Sequence, residues 1–332
     1  MEYVQYFETA FIPDEKPPSN PKDRLYLEGM HDRALGCIFG SALGDAIGLY
    51  TEFMTREDAR NAYPEAKFSL VTPVTPRFKD EHRARFPERS WTDDTDHALL
   101  IVLSYLRNEK LDPRDVAYRL WIWAEQGTRA LDRMPLGLGQ TTSQVLEFDK
   151  YALRPEDFAY QVWHIHNFQS APNGSLMRTH PLGILCLSHT LEETFEIAAN
   201  FSNITHPDPR CIVSCCIGTA LVRALVTGLI VDVRDINRTV VQASVWCARW
   251  LKKQRVLFPD RVYPDLDMDE LFAHTRNKVY PAEFNLDPLG PLRLDEDGKV
   301  GYVYKTLGAG IAALRLALEE SDGIRIYTLL KT

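Results

Sequence analysis

The sequence predicts an all-α protein, a single large multi-helix orthogonal bundle. Three observations carry this. Apolar residues recur at helical spacing in one segment after another, from 31–53 to 303–319. Strand signals are scarce throughout. Small residues form stripes along helices, most plainly Gly36, Gly40, Gly44 and Gly48 at every fourth position. The 332 residues are 45% hydrophobic and 25% charged, enough for a large core. The bundle is expected over 30–320. An irregular, proline-bearing lead-in at 1–29 precedes it, and a short, truncated-looking tail at 321–332 follows.

Residues 31–53 (HDRALGCIFGSALGDAIGLYTEF) read as the first helix. Each of its four glycines costs up to about 1 kcal/mol relative to alanine, so the stripe needs a reason. Close approach of another helix backbone is the expected one. Asp45, between Gly44 and Ala46, is expected to be buried and hydrogen-bonded. Glu52 falls at the helix end, where a carboxylate opposes the dipole. Taken alone, that anomaly is weak support for a ligand or catalytic acid. Residues 54–89, with Pro64, Pro73, Pro76 and Pro87, read as loop.

Ser90-Trp91-Thr92-Asp93-Asp94-Thr95-Asp96-His97 is the densest cluster of potential metal ligands, and the apolar run 98–106 follows it directly. Ordinary helix capping accounts for one acid at such a start. Three in a row repel one another, and burying them is costly unless a cation neutralises them. Hydroxyl and carboxylate oxygens are hard ligands suited to Mg, Mn or Ca. On this run alone, cap and metal site both stand.

Residues 113–126 read as a helix with Pro113 in its first turn. Gly137 and Gly139 precede a further helix start, where backbone N–H groups suit an anion. Neither GxGxxG nor GK[ST] occurs, so no dinucleotide or P-loop fingerprint is present. Residues 155–166 are helical in pattern. The loop 169–175 holds the Asn173-Gly174 turn and leads to Arg178, which if buried needs a partner carboxylate. An amphipathic helix at 191–202 precedes the loop of His206. A loop histidine before proline is more often structural or solvated than catalytic. A long apolar helix spans about 210–229, and another, with Trp246 and Trp250, spans 233–255. Residues 259–300 are acidic and loop-rich, and Asp265, Asp267 and Asp269 read as a solvated face. The last clear helix is 303–319.

The net charge of −8 argues against a nucleic-acid or anionic-membrane partner, though not against a nucleotide in a local site. The six cysteines lie mostly in apolar runs, as reduced core thiols do. His206 with Cys211, Cys215 and Cys216 lacks zinc-ligand spacing. The N-terminus has no signal-peptide pattern, and no uninterrupted apolar run approaches a membrane span. A cytoplasmic or nuclear location is the expectation.

Four stretches together resemble the ADP-ribosylglycohydrolase family, which includes the dinitrogenase reductase-activating glycohydrolases. They are Gly40-Ser-Ala-Leu-Gly44-Asp45-Ala46-Ile-Gly48 with Glu52, Trp91-Thr92-Asp93-Asp94-Thr95, Asn173-Gly174-Ser-Leu-Met177-Arg178 with Pro181, and Thr205-His206-Pro207. The resemblance covers about 31–320 and implies an all-α fold with two divalent cations, Mg2+ or Mn2+, in a central cleft. It implies that Thr92, Asp93 and Asp94 ligate metal and that Glu52 is the catalytic group or a further ligand. It also implies that Gly137, Gly139, Ser170, Asn173, Gly174 and His206 line an ADP-ribose pocket. The implied reaction is hydrolysis of the bond between ribose C1″ and an ADP-ribosylated protein side chain or the acceptor of a small ADP-riboside. Arginine, serine and other linkages all stay open.

The family's second metal-binding segment is an Asp-x-Asp-Thr run near the C-terminus. It has no counterpart after 303–319, where Asp322 stands alone. The expectation is therefore half of a two-metal site, holding one cation or none, with reduced competence. The alternative is a catalytically weak or inactive ADP-ribose- or nucleotide-binding protein on the same fold. Without the terminal helix, apolar surface is left for an oligomeric contact.

Overall fold

A computed structural model of the protein describes residues 21–275 and 289–319. These residues form twelve α-helices and no strand, with two isolated bridges, Thr128 to Arg133 and Pro172 to Tyr302. The helices are α1 Pro21–Gly48, α2 Arg56–Ala62, α3 Asp93–Asn108, α4 Pro113–Gln126, α5 Gln140–Leu146 and α6 Pro155–Ile165. They continue with α7 His180–Leu185, α8 Leu191–Asn203, α9 Pro209–Val226, α10 Val233–Leu257, α11 Met268–Thr275 and α12 Val303–Glu319. The all-α expectation holds.

Local chemistry sets most of the boundaries. Asp112 caps α4 by accepting from the N–H groups of Arg114 and Asp115, with Pro113 in the first turn. Asp208 and Pro209 start α9 in the same way. Reciprocal capping boxes, Thr190 with Glu193 and Asp232 with Asp235, start α8 and α10.

Three segments differ from expectation. The first helix begins at Pro21, so residues 21–29 of the expected lead-in are helical. The expected loop 54–89 holds α2, capped by the hydroxyl of Thr55 on the N–H of Asp58. The expected acidic face holds α11, where Asp267 accepts from the N–H of Glu270, while Asp265 pairs with Arg255. Short charged helices sum too little propensity to stand out in a sequence. Residues 1–20 and the tail 321–332 lie outside the described residues.

The core has two main parts. One packs α9 against α8, α10 and α12 through Phe195, Ile212, Ile217, Trp246 and Leu307. The other packs α3, α4, α5 and α6 through Ile101, Leu120, Trp123, Val145 and Val162. Each fully buried side chain of this kind contributes about 1.5–3 kcal/mol. Helix α9 is long and apolar enough to cross a membrane, but 67% of it is buried inside the protein, as befits the central core helix.

The glycine stripe on α1 does not serve the expected close approach. A Cβ on Gly36, Gly40, Gly44 or Gly48 would meet nothing within 4 Å, and Phe39 and Leu43 beside it are exposed. Close approach is found elsewhere. A Cβ on Gly183 of α7 would lie 2.6 Å from Val222 Cβ and 2.8 Å from the Thr219 carbonyl oxygen, both on α9.

Candidate active site

The site is organised on the first turn of α3. The N-cap, Thr92, makes no side-chain cap hydrogen bond of its own. The carboxylate of Asp45, 47 residues earlier on α1, accepts from the N–H of Thr92 instead, and also from that of Thr95. A side chain from another helix thus does the capping, and α1 and α3 are joined at the site.

The acidic run then divides. Asp93 is buried and Asp94 is half-buried. Burial first, then the Asp94 and Glu52 charges, holds the Asp93 carboxyl well above the usual carboxylate range. Asp94 is pushed up to about 7 by burial and by the charges of Asp45 and Glu52. Asp96 is fully buried and turns away into a structural cluster. It accepts from the indole N–H groups of Trp91 (2.8 Å) and Trp123 (3.1 Å) and from Arg133 Nε (3.2 Å). His97 is fully buried, packs edge-on against Trp123 and has no hydrogen-bond partner at either nitrogen among the described residues. Asp96 and His97 therefore leave the candidate ligand set.

Glu52 sits in the turn just beyond α1, its N–H donating to the Gly48 carbonyl. Its Oε2 lies 2.9 Å from His82 Nε2. The buried guanidinium of Arg83 donates to the carbonyls of Tyr50 and Glu52 and pairs with Asp80, bracing the turn that carries the acid. Behind this turn lies a cavity of about 440 Å³ lined by Phe53, Met54, Asp58, Asn61, Phe78 and Arg83, among others. Neither His82 nor Arg83 is marked by any local pattern; both sit in the expected loop, about 30 residues from their partners.

The glycine and histidine stretches join end to end. Gly137 (φ +94°) lies against the acids: a Cβ there would come within 2.5 Å of Asp93 Oδ1. Gly139 is the N-cap of α5 and is open, with nothing within 4 Å of its Cβ position. Thr141 in the first turn of α5 lies 3.3 Å from Ser170, hydroxyl to hydroxyl. A Cβ on Gly174 would approach His206 Nε2 to 2.9 Å and Thr142 Oγ1 to 3.5 Å. Asn173 donates its N–H to the Gly301 carbonyl, tying this loop to the segment ahead of α12. Gly137, Ser170, Gly174 and His206 thus run as a wall from the α3 turn through α5 to the α9 entry.

Beneath that wall lies Arg178, 1% exposed. It was expected to find a carboxylate. It instead donates from Nη2 to the Phe201 carbonyl (3.0 Å) and to Thr205 Oγ1 (2.7 Å), and its Nη1 has no partner among the described residues. Thr205 Oγ1 in turn lies 2.7 Å from His206 Nδ1. Burial, then the Arg178 charge, holds the buried His206 imidazole down to about 3, so it stays neutral.

The donor set of Thr92, Asp93 and Asp94 is hydroxyl and carboxylate oxygen, and its buried acids repel one another. Both features fit a hard divalent cation. Among the described residues no three His, Cys, Asp or Glu side chains converge into a ready-made cage. A cation here would keep several waters.

Residues 27–328 match the family model described as ADP-ribosylglycohydrolase. Over 187 residues the chain is 27% identical to the ADP-ribosylarginine hydrolase Tri1 of Pseudomonas putida (strain GB-1), covering 56% of this chain and 44% of that protein. It is 29% identical over 177 residues to the uncharacterized protein YegU of Escherichia coli (strain K12), covering 53% and 48%. It is 26% identical over 199 residues to the ADP-ribosyl-[dinitrogen reductase] glycohydrolase of Rhodospirillum rubrum, covering 60% of each. The matches span about half the length of these relatives.

Proposed function

The chain belongs to the ADP-ribosylglycohydrolase family, and we propose that it hydrolyses the bond between ribose C1″ and the acceptor of an ADP-ribosylated protein or a small ADP-riboside. The observation that carries this reading is the α3 turn. Asp93 and Asp94 are pushed above the usual carboxylate range by burial and by acids from α1 and its following turn. Such a cluster is suited to a hard cation, Mg2+ or Mn2+, held by Thr92, Asp93 and Asp94 with water completing the shell. When bound, the cation supplies a grip on vicinal ribose hydroxyls and polarises the reacting oxygen.

The protein's own groups do the rest. Glu52, held through Oε2 by His82 and through its carbonyl by Arg83, takes a proton from the attacking water. The water oxygen bonds to C1″, the bond from C1″ to the acceptor nitrogen or oxygen breaks, and the acceptor leaves with the proton that Glu52 took from the water. Gly137 and Gly139, with the N-terminus of α5, suit the pyrophosphate. Ser170, Asn173, Gly174 and His206 form the farther wall of the ADP-ribose site.

The test is release of ADP-ribose from an ADP-ribosylated arginine peptide and a serine peptide, titrated with Mg2+ and Mn2+. Metal-dependent release that disappears in Asp93→Ala and Glu52→Gln supports the reading. A second reading on the same fold is a non-catalytic ADP-ribose binder. Saturable ADP-ribose binding without release at any metal concentration selects that reading instead.

A further inference from the structure

The carboxylate of Asp45 receives more than the two backbone N–H groups of the α3 turn. Thr92 Oγ1 donates to its Oδ1 at 2.7 Å, and Thr95 Oγ1 donates to its Oδ2 at 2.6 Å. The Thr92 N–H lies 3.0 and 2.9 Å from the two oxygens, and the Thr95 N–H lies 3.0 Å from Oδ2. An ionised carboxylate has about four lone-pair sites, so these four donors saturate it. Asp45 has none left for a cation.

This arrangement has a consequence for Thr92. Its hydroxyl carries one proton and has two acid neighbours, Asp45 Oδ1 at 2.7 Å and Asp94 Oδ2 at 3.2 Å. The shorter contact takes the proton. Toward Asp94 the hydroxyl then presents only lone pairs. Two oxygens 3.2 Å apart with no proton between them repel, and either a carboxyl proton or a cation beside them relieves this. Adjacent ligand oxygens of an octahedral Mg2+ or Mn2+ stand about 3 Å apart, given metal–oxygen distances near 2.1 Å.

We infer that Asp45 is the positioning residue of the site. By taking the hydroxyl protons of Thr92 and Thr95 it locks the α3 turn and leaves Thr92 Oγ1 as an acceptor facing Asp94. It plays for a threonine ligand the part that an outer carboxylate plays for a metal-binding histidine. The inference rests on the metal reading above. It assigns no ligand role to Asp45 itself.

The test is the rise in Tm of the full chain as Mn2+ is titrated, which requires no turnover. Asp45→Asn places an amide N–H₂ against one of the two threonines, donor against donor. The expected result is a Mn2+ midpoint 10- to 100-fold higher than wild type. Thr95 is the second handle, since it meets Asp45 and is not a proposed ligand. Thr95→Val should raise the midpoint several-fold, and Thr95→Ser, which keeps the hydroxyl, should restore it. If Asp45→Asn folds and responds to Mn2+ at wild-type concentrations, the assignment is wrong. Should that variant not fold, equal midpoints for Thr95→Val and Thr95→Ser overturn it equally. A wild-type protein whose Tm ignores Mn2+ overturns the metal reading, and this inference with it.

Discussion

Gly137→Ala perturbs the candidate site by one methyl group, and the structure supplies its magnitude. The residue has φ +94°, where an L side chain costs about 1–2 kcal/mol. The new Cβ would lie 2.5 Å from Asp93 Oδ1, about 0.9 Å short of ordinary contact at 3.4 Å. Either the loop or the Asp93 carboxylate must yield by that distance. Relieving such overpacking costs about 1–3 kcal/mol, so the expected total is about 2–5 kcal/mol. If Asp93 ligates the proposed cation, a shift near 1 Å there should also slow ADP-ribose release by roughly 100-fold. Gly139→Ala, two residues away, is the control. Its Cβ position is open and its φ of −66° is ordinary, so only a capping preference below about 1 kcal/mol is at stake. The assays are thermal melts with and without Mn2+ and steady-state release. The reasoning is refuted if the two alanine variants are indistinguishable in both.

Three further outcomes are expected. His206 is held down to about 3 from an ordinary 6.5, so below pH 6.5 the unfolded chain takes up a proton that the folded protein refuses. Stability should therefore fall as pH drops from about 6.5 toward 3, by up to about 1.4 kcal/mol per pH unit for this group, and His206→Gln should flatten that limb in pH-dependent melts. His82→Ala should slow release at least tenfold with little change in Tm, because its partner is Glu52 and its ring is only part-buried, while His82→Gln, which keeps a donor, should retain most of the activity. Gly183→Ala should lower stability by about 1–3 kcal/mol through its clash with Val222, whereas Gly40→Ala, on an open helix face, should raise it by about 1 kcal/mol; a loss at Gly40 in calorimetry would mean that the α1 face is covered in solution.

Much of the fold was legible because its signals are local. Asp112-Pro113 and Gly127 bracket α4, and the expected span 113–126 matches it residue for residue. The Thr190–Glu193 box announces α8 in the same way. The misses have physical causes too. Helices α2 and α11 are short and charged, and each is defined by a cap rather than by an apolar stripe. Four spaced glycines on α1 looked like a contact surface, yet sequence spacing says only that a face is bare, not what lies opposite it. Arg178 found neutral acceptors where a carboxylate was expected, since two oxygens already in place satisfy two of its donor directions.

The sequence by itself determined the helical class, the turn where Thr92, Asp93 and Asp94 stand together, and the glycines that stand near it. Tertiary structure decided what those residues face. Asp93 and Asp96, three apart, lie on nearly the same side of a helix, so no periodicity separates them. Trp91, Trp123 and Arg133 draw Asp96 into the core, while Asp93 stays under Gly137. The cap of α3 likewise comes from Asp45, 47 residues away. Caps and periodicity act within about four residues and can be read in the chain. Which acid meets which donor across such a distance is decided only when the helices pack.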